Sequence, residues 1–184
     1  MSADAYLKTT KREFERLKRI AELAVAQLDN EQYIATLGPE DNSIAVMVKH
    51  MAGNMLSRWR DFLSSDGEKP DRNRDGEFEI GEQNSRDQLN EMWERGWDCL
   101  FEAIAPLEKS DLDRTITIRG ESHTVLQATS RQLTHYAYHV GQVVFVAKHL
   151  AGDRWKTLSV PKGESETFNQ SPDSYLETAE SENS

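Results

Sequence analysis

Two histidines, His135 and His139, stand four residues apart in the stretch Arg131-Gln-Leu-Thr-His-Tyr-Ala-Tyr-His-Val-Gly-Gln, which lies within a long segment rich in apolar residues. On an α-helix this spacing sets two side chains about 40° apart around the axis and one turn apart along it. Both imidazoles then share a face and can share one metal ion. Most such pairs are packing residues on an amphipathic helix. Here, however, Gln132, His135, His139 and Gln142 form one polar strip among Val, Ala, Leu and Tyr. A buried polar strip costs free energy unless something satisfies it. A metal would do so, with Gln132 or Gln142 orienting a ligand from behind. His50, at the inward edge of another helical pattern, would complete three neutral nitrogen donors. Three histidines leave coordination positions for water or substrate, as in catalytic rather than closed structural sites. Imidazole suits zinc, nickel, iron or copper, and affinity order does not choose among them. His123 and His149 read as surface residues.

Other chemistry has less support. Asp71-Arg-Asn-Arg-Asp-Gly-Glu-Phe-Glu-Ile-Gly-Glu82 matches a calcium-binding EF-hand loop on paper. Against calcium stand Pro70 beside the first position, two arginines inside the loop, no clear incoming helix and a single copy. Pairing of Asp75 and Glu77 with Arg72, Arg74 or a partner chain is the expected alternative. The only cysteine, Cys99, falls in a helical pattern and reads as a small packed residue rather than a nucleophile. No nucleophile elbow or phosphate-cradling glycine loop is present. Tyr136 is expected in the core and Tyr138 outside it.

Four long helical patterns must position the histidines, so the fold class expected is all-α. The first spans residues 3–28 on the seam Leu7, Thr10, Phe14, Leu17, Ala21, Ala24 and Leu28. The second, 44–63, buries Ile44, Met47, Val48, Met51, Met55, Trp59 and Phe62, with Asn42 or Ser43 as cap. A polar stretch over 64–84 follows; loops this long are uncommon in compact domains, and Phe78 and Ile80 are expected to pin it down. The third helix opens on the capping box Ser85–Gln88 and runs along Leu89, Trp93, Gly96, Leu100 and Ile104, with Gly96 implying close helix approach. A short hairpin or extended pair turning at Arg119-Gly120 precedes the fourth helix, 124–150, which stops at Gly152. Its expected core line is Leu126, Leu133, Ala137, Val140, Val144 and Ala151. Val143, Phe145 and Val146 add apolar surface on other sides, as a homodimer interface would. An extended strap from Trp155 then docks Leu158 and Val160. The reading is one domain over 1–162 and an acidic, disordered tail over 163–184.

The 184 residues suffice for one core, and 32 acidic against 22 basic residues give a net charge of −10. That balance argues against a nucleic-acid partner. From residue 163 onward there are six acidic residues and no basic one. A lone cysteine excludes an intrachain disulfide and fits a reducing compartment. The N-terminus is charged and amphipathic rather than signal-like, and no apolar run approaches the ~20 residues of a membrane span. A cytoplasmic protein without membrane partners is expected.

One histidine in Ser43-Ile-Ala-Val-Met-Val-Lys-His50-Met-Ala-Gly-Asn54, with His135-Tyr-Ala-Tyr-His139-Val-Gly-Gln142 on the last long helix, resembles the DinB-like superfamily. The fuller similarity is to a small uncharacterised bacterial branch. It is carried by Asp-Gly-Glu-Lys-Pro at 66–70, Arg-Asp-Gly-Glu-Phe at 74–78, Ile-Arg-Gly-Glu at 118–121 and Trp-Lys-Thr-Leu-Ser-Val-Pro-Lys-Gly at 155–163. The resemblance covers residues 3–168. It implies an up-down-down-up four-helix bundle, commonly dimeric, with a divalent transition metal such as Zn, Ni or Fe on His50, His135 and His139. Better-known relatives are metal-dependent thiol transferases, so a low-molecular-weight thiol is an implied cofactor, activated as thiolate. No thiol-binding residue carries over.

Two functions follow as expectations. One is an enzyme whose tri-histidine metal activates a thiol or water toward a small electrophilic substrate, as an S-transferase or hydrolase. The alternative is a non-catalytic metal-binding bundle that serves as a stress-related ligand- or protein-binding module. An open coordination position facing a substrate-sized pocket separates them.

Overall fold

A computed structural model describes residues 3–170, and within them the chain is mostly helical, with six α-helices and one two-stranded sheet. Helix α1, Ala3–Val25, buries Thr10, Phe14, Leu17, Ala21 and Ala24 along the anticipated seam, and Leu28 is buried just beyond its end. A short helix α2, Asn30–Ile34, occupies what the sequence suggested was only a connection. Asp29 and Gln32 form a capping box at its start, and Gln32 Nε2 donates to the Leu150 carbonyl at 2.6 Å.

Helix α3, Ile44–Trp59, starts where the Ser43 side chain accepts from the Val46 N–H. It ends four residues before the expected limit of 63, because Arg60 turns extended and Asp61 takes a φ of 51°. Its whole predicted stripe is buried, through to Phe62 past its end, and so are His50 and Asn54. Helix α4, Arg86–Ile104, opens on the Ser85–Gln88 capping box. A Cβ at Gly96 would lie 3.2 Å from the Ala52 Cα, so α4 approaches the α3 backbone here as closely as only glycine allows. Helix α5, Val125–Ala151, is capped by Thr124 and Gln127 and ends at Gly152 with φ 55°. The α3 and α4 pair and the α1 and α5 pair make the most extensive contacts, with α3 also against α5 and α1 against α4. Phe14, Trp59, Trp97 and Tyr136 meet edge-on or tilted at 5.9–6.5 Å, joining all four long helices in one core.

The expected core line of α5 is corrected. Val140 and Ala151 are buried as expected, but Leu126 and Ala137 are exposed and Leu133 and Val144 only partly covered, whereas Val125, Ala128, Thr129, Gln132, Tyr136 and Val143 are buried as well. Thr129 and Gln132 lie on the buried side, where both are hydrogen-bonded. Val143 and Val146 therefore belong to the chain's own core, and of the three residues offered for a dimer face only Phe145 is exposed.

Strands β1, Thr115–Ile118, and β2, Glu121–Thr124, pair antiparallel around Arg119 and Gly120, whose φ values of 56° and 75° are those of a type I′ hairpin turn. The stretch before α4 folds onto this hairpin: Gly67 N–H donates to the Thr117 carbonyl at 2.8 Å, and the Asp66 carboxylate accepts from the Arg119 and Gly120 N–H groups at 2.8 Å each. Phe78 and Ile80 are exposed, so they are not the anchors expected of them. Buried Lys69 and Glu77, with Arg72, hold the stretch instead, because each charge finds partners there.

Trp155 and Leu158 pack on the core, and Lys156 exchanges two hydrogen bonds with the Gln27 side chain at the end of α1. Within the stretch expected to be disordered, Ser165–Gln170 forms a short helix α6; residues 171–184 of that acidic tail lie outside the described residues. No described helix is long and apolar enough to cross a membrane.

Candidate metal centre

His50 projects from the middle of α3, and His135 and His139 from one face of α5. Two helical rods from distant parts of the chain bring one ring nitrogen of each within 4.8 Å of the others. Among the described residues this is the only group of three or more His, Cys, Asp or Glu side chains that converges in this way. The ring centroids are 4.7 Å apart for His135 and His139, 4.9 Å for His50 and His139, and 5.8 Å for His50 and His135. The rings stand nearly perpendicular, at 67–89°, so their edges rather than their faces meet.

Hydrogen bonds decide which nitrogen each ring presents. Glu77 Oε2 accepts from His50 Nδ1 at 2.9 Å, which leaves His50 Nε2 bare of hydrogen in the neutral ring. Burial pushes the Glu77 carboxyl up, but the hydrogen bonds from His50 and Arg72 and the Arg72 charge outweigh that and hold it below its ordinary range. Glu77 is thus a carboxylate. Arg72 grips both its oxygens, at 2.8 and 2.9 Å, and reaches Glu68 as well. Gln142 Oε1 plays the same part for His139, accepting from Nδ1 at 2.9 Å. His139 Nε2 then faces His135 Nε2 at 3.1 Å. Two imidazoles on one tetrahedral zinc ion, each 2.0–2.1 Å from it, would place their nitrogens roughly 3.3 Å apart.

The two α5 rings, His135 and His139, are disposed to stay neutral. Burial, with the neighbouring His139 and His50, drives the His135 imidazole down to about 3, and burial with His50 lowers that of His139. Neutral imidazoles are the form that ligates metal. The donor set fits a divalent transition metal: three nitrogens meet at one point, two of them oriented from behind by a carboxylate and an amide. The buried His135 Nδ1 has no hydrogen-bond partner, so no third orienting group is in place.

Of the two glutamines the sequence offered to stand behind a ring, one is found there. Gln142 does orient a histidine, but Gln132 does not. It belongs to a buried cluster one turn away, where its Nε2 donates to Asn54 Oδ1 at 2.8 Å and reaches the Tyr136 hydroxyl at 3.0 Å. Trp59 donates to that hydroxyl at 3.0 Å, and the hydroxyl donates to Asn54 at 3.1 Å. Tyr138 is exposed and His149 lies on the surface, while His123 is half-covered in β2, hydrogen-bonded to its own strand.

Glu77 is the functional residue that spacing did not assign to the histidines. One signal was available. Gly53 lies in mid-helix three residues after His50, and a Cβ there would run into the Glu77 carboxylate. The calcium pattern has other partners: Arg60 takes Asp71 at 2.6 Å, and Asn73 Oδ1 accepts from the Gly76 N–H. Phe78 tilts over His50 at 4.9 Å. Cys99 is half-buried, and burial raises its thiol, which disfavours a nucleophilic role. A cavity of about 180 Å³ opens onto His50 and His135, with Asn54, Gln132 and several arginines in its wall.

Residues 1–164 match the family described as Protein of unknown function (DUF1572), and the chain belongs to that family. No curated protein matches it significantly.

Proposed function

We propose that this member of the family is a metal-dependent enzyme in which His50, His135 and His139 hold a divalent transition metal. The observation that carries the reading is the convergence of three ring nitrogens within 4.8 Å, beside a cavity that reaches two of the three rings. The reading includes an up-down-down-up four-helix bundle of the DinB-like kind. In its support, Tyr6 at the start of α1 bonds Ser130 and Thr129 at the start of α5, as parallel helices would. Arg86 at the start of α4 reaches the carbonyls of Val25 and Leu28 at the end of α1, as antiparallel helices would. A homodimer, if formed through α5, would centre on exposed Tyr138 and Phe145.

A bound divalent ion would supply Lewis acidity, lowering the pKa of a low-molecular-weight thiol or a water for attack on a small electrophile. The chain's own residues do the rest. Glu77, clamped by Arg72, keeps His50 in one tautomer and one orientation. Gln142 does so for His139. The Asn54, Gln132 and Tyr136 cluster ties α3 to α5, so the distance between the donor helices is set one turn away from the site. The cavity is what favours catalysis over a purely structural ion, since it leaves room for a substrate beside the rings.

Elemental analysis of protein purified without an affinity tag tests this, followed by a thiol-transfer screen. The expected result is one transition-metal ion per chain, lost in His139→Ala while the helical circular-dichroism signal is kept. Metal content unchanged by that substitution would end the proposal.

A further inference from the structure

The cavity beside the histidines has an unusual wall for an acidic protein. Arg58, Arg72, Arg74, Arg119 and Arg131 all line it, in a chain whose net charge is −10. The nearby carboxylates do not balance them. Glu68 serves Arg58, Arg72 and Arg119 together, and Glu77 serves Arg72. Asp66 gives its oxygens to the backbone N–H groups of Glu68, Arg119 and Gly120. Among the described residues neither Arg74 nor Arg131 has an ion-pair partner, and both are exposed at the cavity's rim.

Arg58 points the same way from inside. Its side chain is 3% exposed, its Nη1 donates to the Gly67 carbonyl at 2.7 Å, and its buried Nε has no partner. A buried guanidinium with an open donor, next to two unpaired ones, is a costly arrangement for stability alone. It becomes favourable when a ligand brings negative charge and acceptor oxygens, which the guanidinium fork matches in pairs.

We infer that this arginine-lined cavity binds the carboxylate or phosphate group of a small anionic substrate and holds its reacting part beside the three histidines. The inference rests on the metal-centre reading for its chemistry, but its binding step is separable from it. A cavity of about 180 Å³ has room for a short anion. Arg74 and Arg131 meet the ligand at the rim; Arg58 and Arg72, fixed by Glu68 and Glu77, receive it inside. Binding energy gathered on a non-reacting anionic group is then available to position the reacting atoms.

Isothermal titration of the full chain with inorganic phosphate and, separately, with succinate tests this at low ionic strength, in metal-free and zinc-loaded protein. At least one anion is expected to bind the metal-free protein, and the tighter of the two identifies the group preferred. Arg74→Gln combined with Arg131→Gln should weaken that binding at least tenfold. These side chains carry no ion pair, so the melting temperature should hold. Arg131→Lys, which keeps charge but loses the fork, should fall in between. No binding of either anion, equal affinity in the double variant, or binding seen only with zinc and indifferent to the arginines would each overturn the inference. Arginine-dependent binding in a protein that takes up no metal would uphold the anion site while refuting the metal centre.

Discussion

The two polar clusters between α3 and α5 lie one turn apart and are built differently. In the first, Asn54, Gln132, Tyr136 and Trp59 satisfy one another. All four are neutral, and burial pushes the Tyr136 hydroxyl further from ionising. In the second, His50, His135 and His139 have their outer nitrogens held by Glu77 and Gln142 or left unpartnered, and their inner nitrogens point at one another. The first cluster is closed and needs nothing further. The second is not closed in this way: its three ring nitrogens lie close enough together that they could hold a metal ion. Polar groups packed between the same two helices can therefore serve as a joint or as a candidate site, depending on whether their donors and acceptors cancel within the group.

That contrast can be broken from either side. The largest effect is expected from Glu77→Gln, which removes the charge behind His50 and leaves Arg72 without its strongest partner. Metal affinity, read by competition with a chelator, should fall by about 10–100-fold. Unchanged affinity would reduce Glu77 to a loop anchor. In the closed cluster, Tyr136→Phe should cost about 1–3 kcal/mol of stability, since it deprives Trp59 and Asn54 of a buried partner. Urea unfolding would show this, with metal content per chain unchanged; loss of metal instead would mean that the two clusters are not separable.

Of the two clusters, only the open one should respond to acid. In metal-free protein the folded His135 is held near 3, against an ordinary 6.5, so below pH 6.5 the unfolded chain binds the extra proton first. Its contribution to stability is complete above pH 6.5 and is lost as pH falls from there toward 3. Urea midpoints measured between pH 7.5 and 4.5 should decline more steeply for the native chain than for His135→Gln. Parallel declines would show that the ring is not held neutral. The smallest expected effect is none: added calcium should leave the melting temperature unmoved, because Asp71 and Asn73 already have partners in the loop. A clear rise would restore the calcium reading.

Much of this was legible in the chain. The three-and-four spacing of Phe14, Leu17, Ala21 and Ala24, and the caps at Ser43 and Ser85, are local signals that the structure repeats. So is the need for Gly96 at a close helix approach. The register of α5 was not legible, because apolar residues lie on several sides of this helix and the partners that bury Thr129 and Gln132 come from the packed fold. Helix α2 was missed for a different reason: five residues carry no periodicity, and only its Asp29–Gln32 capping box marks it.

The chain alone decided that His135 and His139 share a face, since helical geometry puts residues four apart on one side whatever surrounds them. It also marked His50 as facing inward, beside Met47 and Met51. What tertiary structure decided is which groups stand behind those rings and what opens in front. Glu77 reaches His50 from 27 residues away, across an irregular stretch whose course no periodicity describes. The arginines around the cavity come from α3, the long loop, the hairpin and α5, and only the packed fold gathers like charges that the sequence scatters.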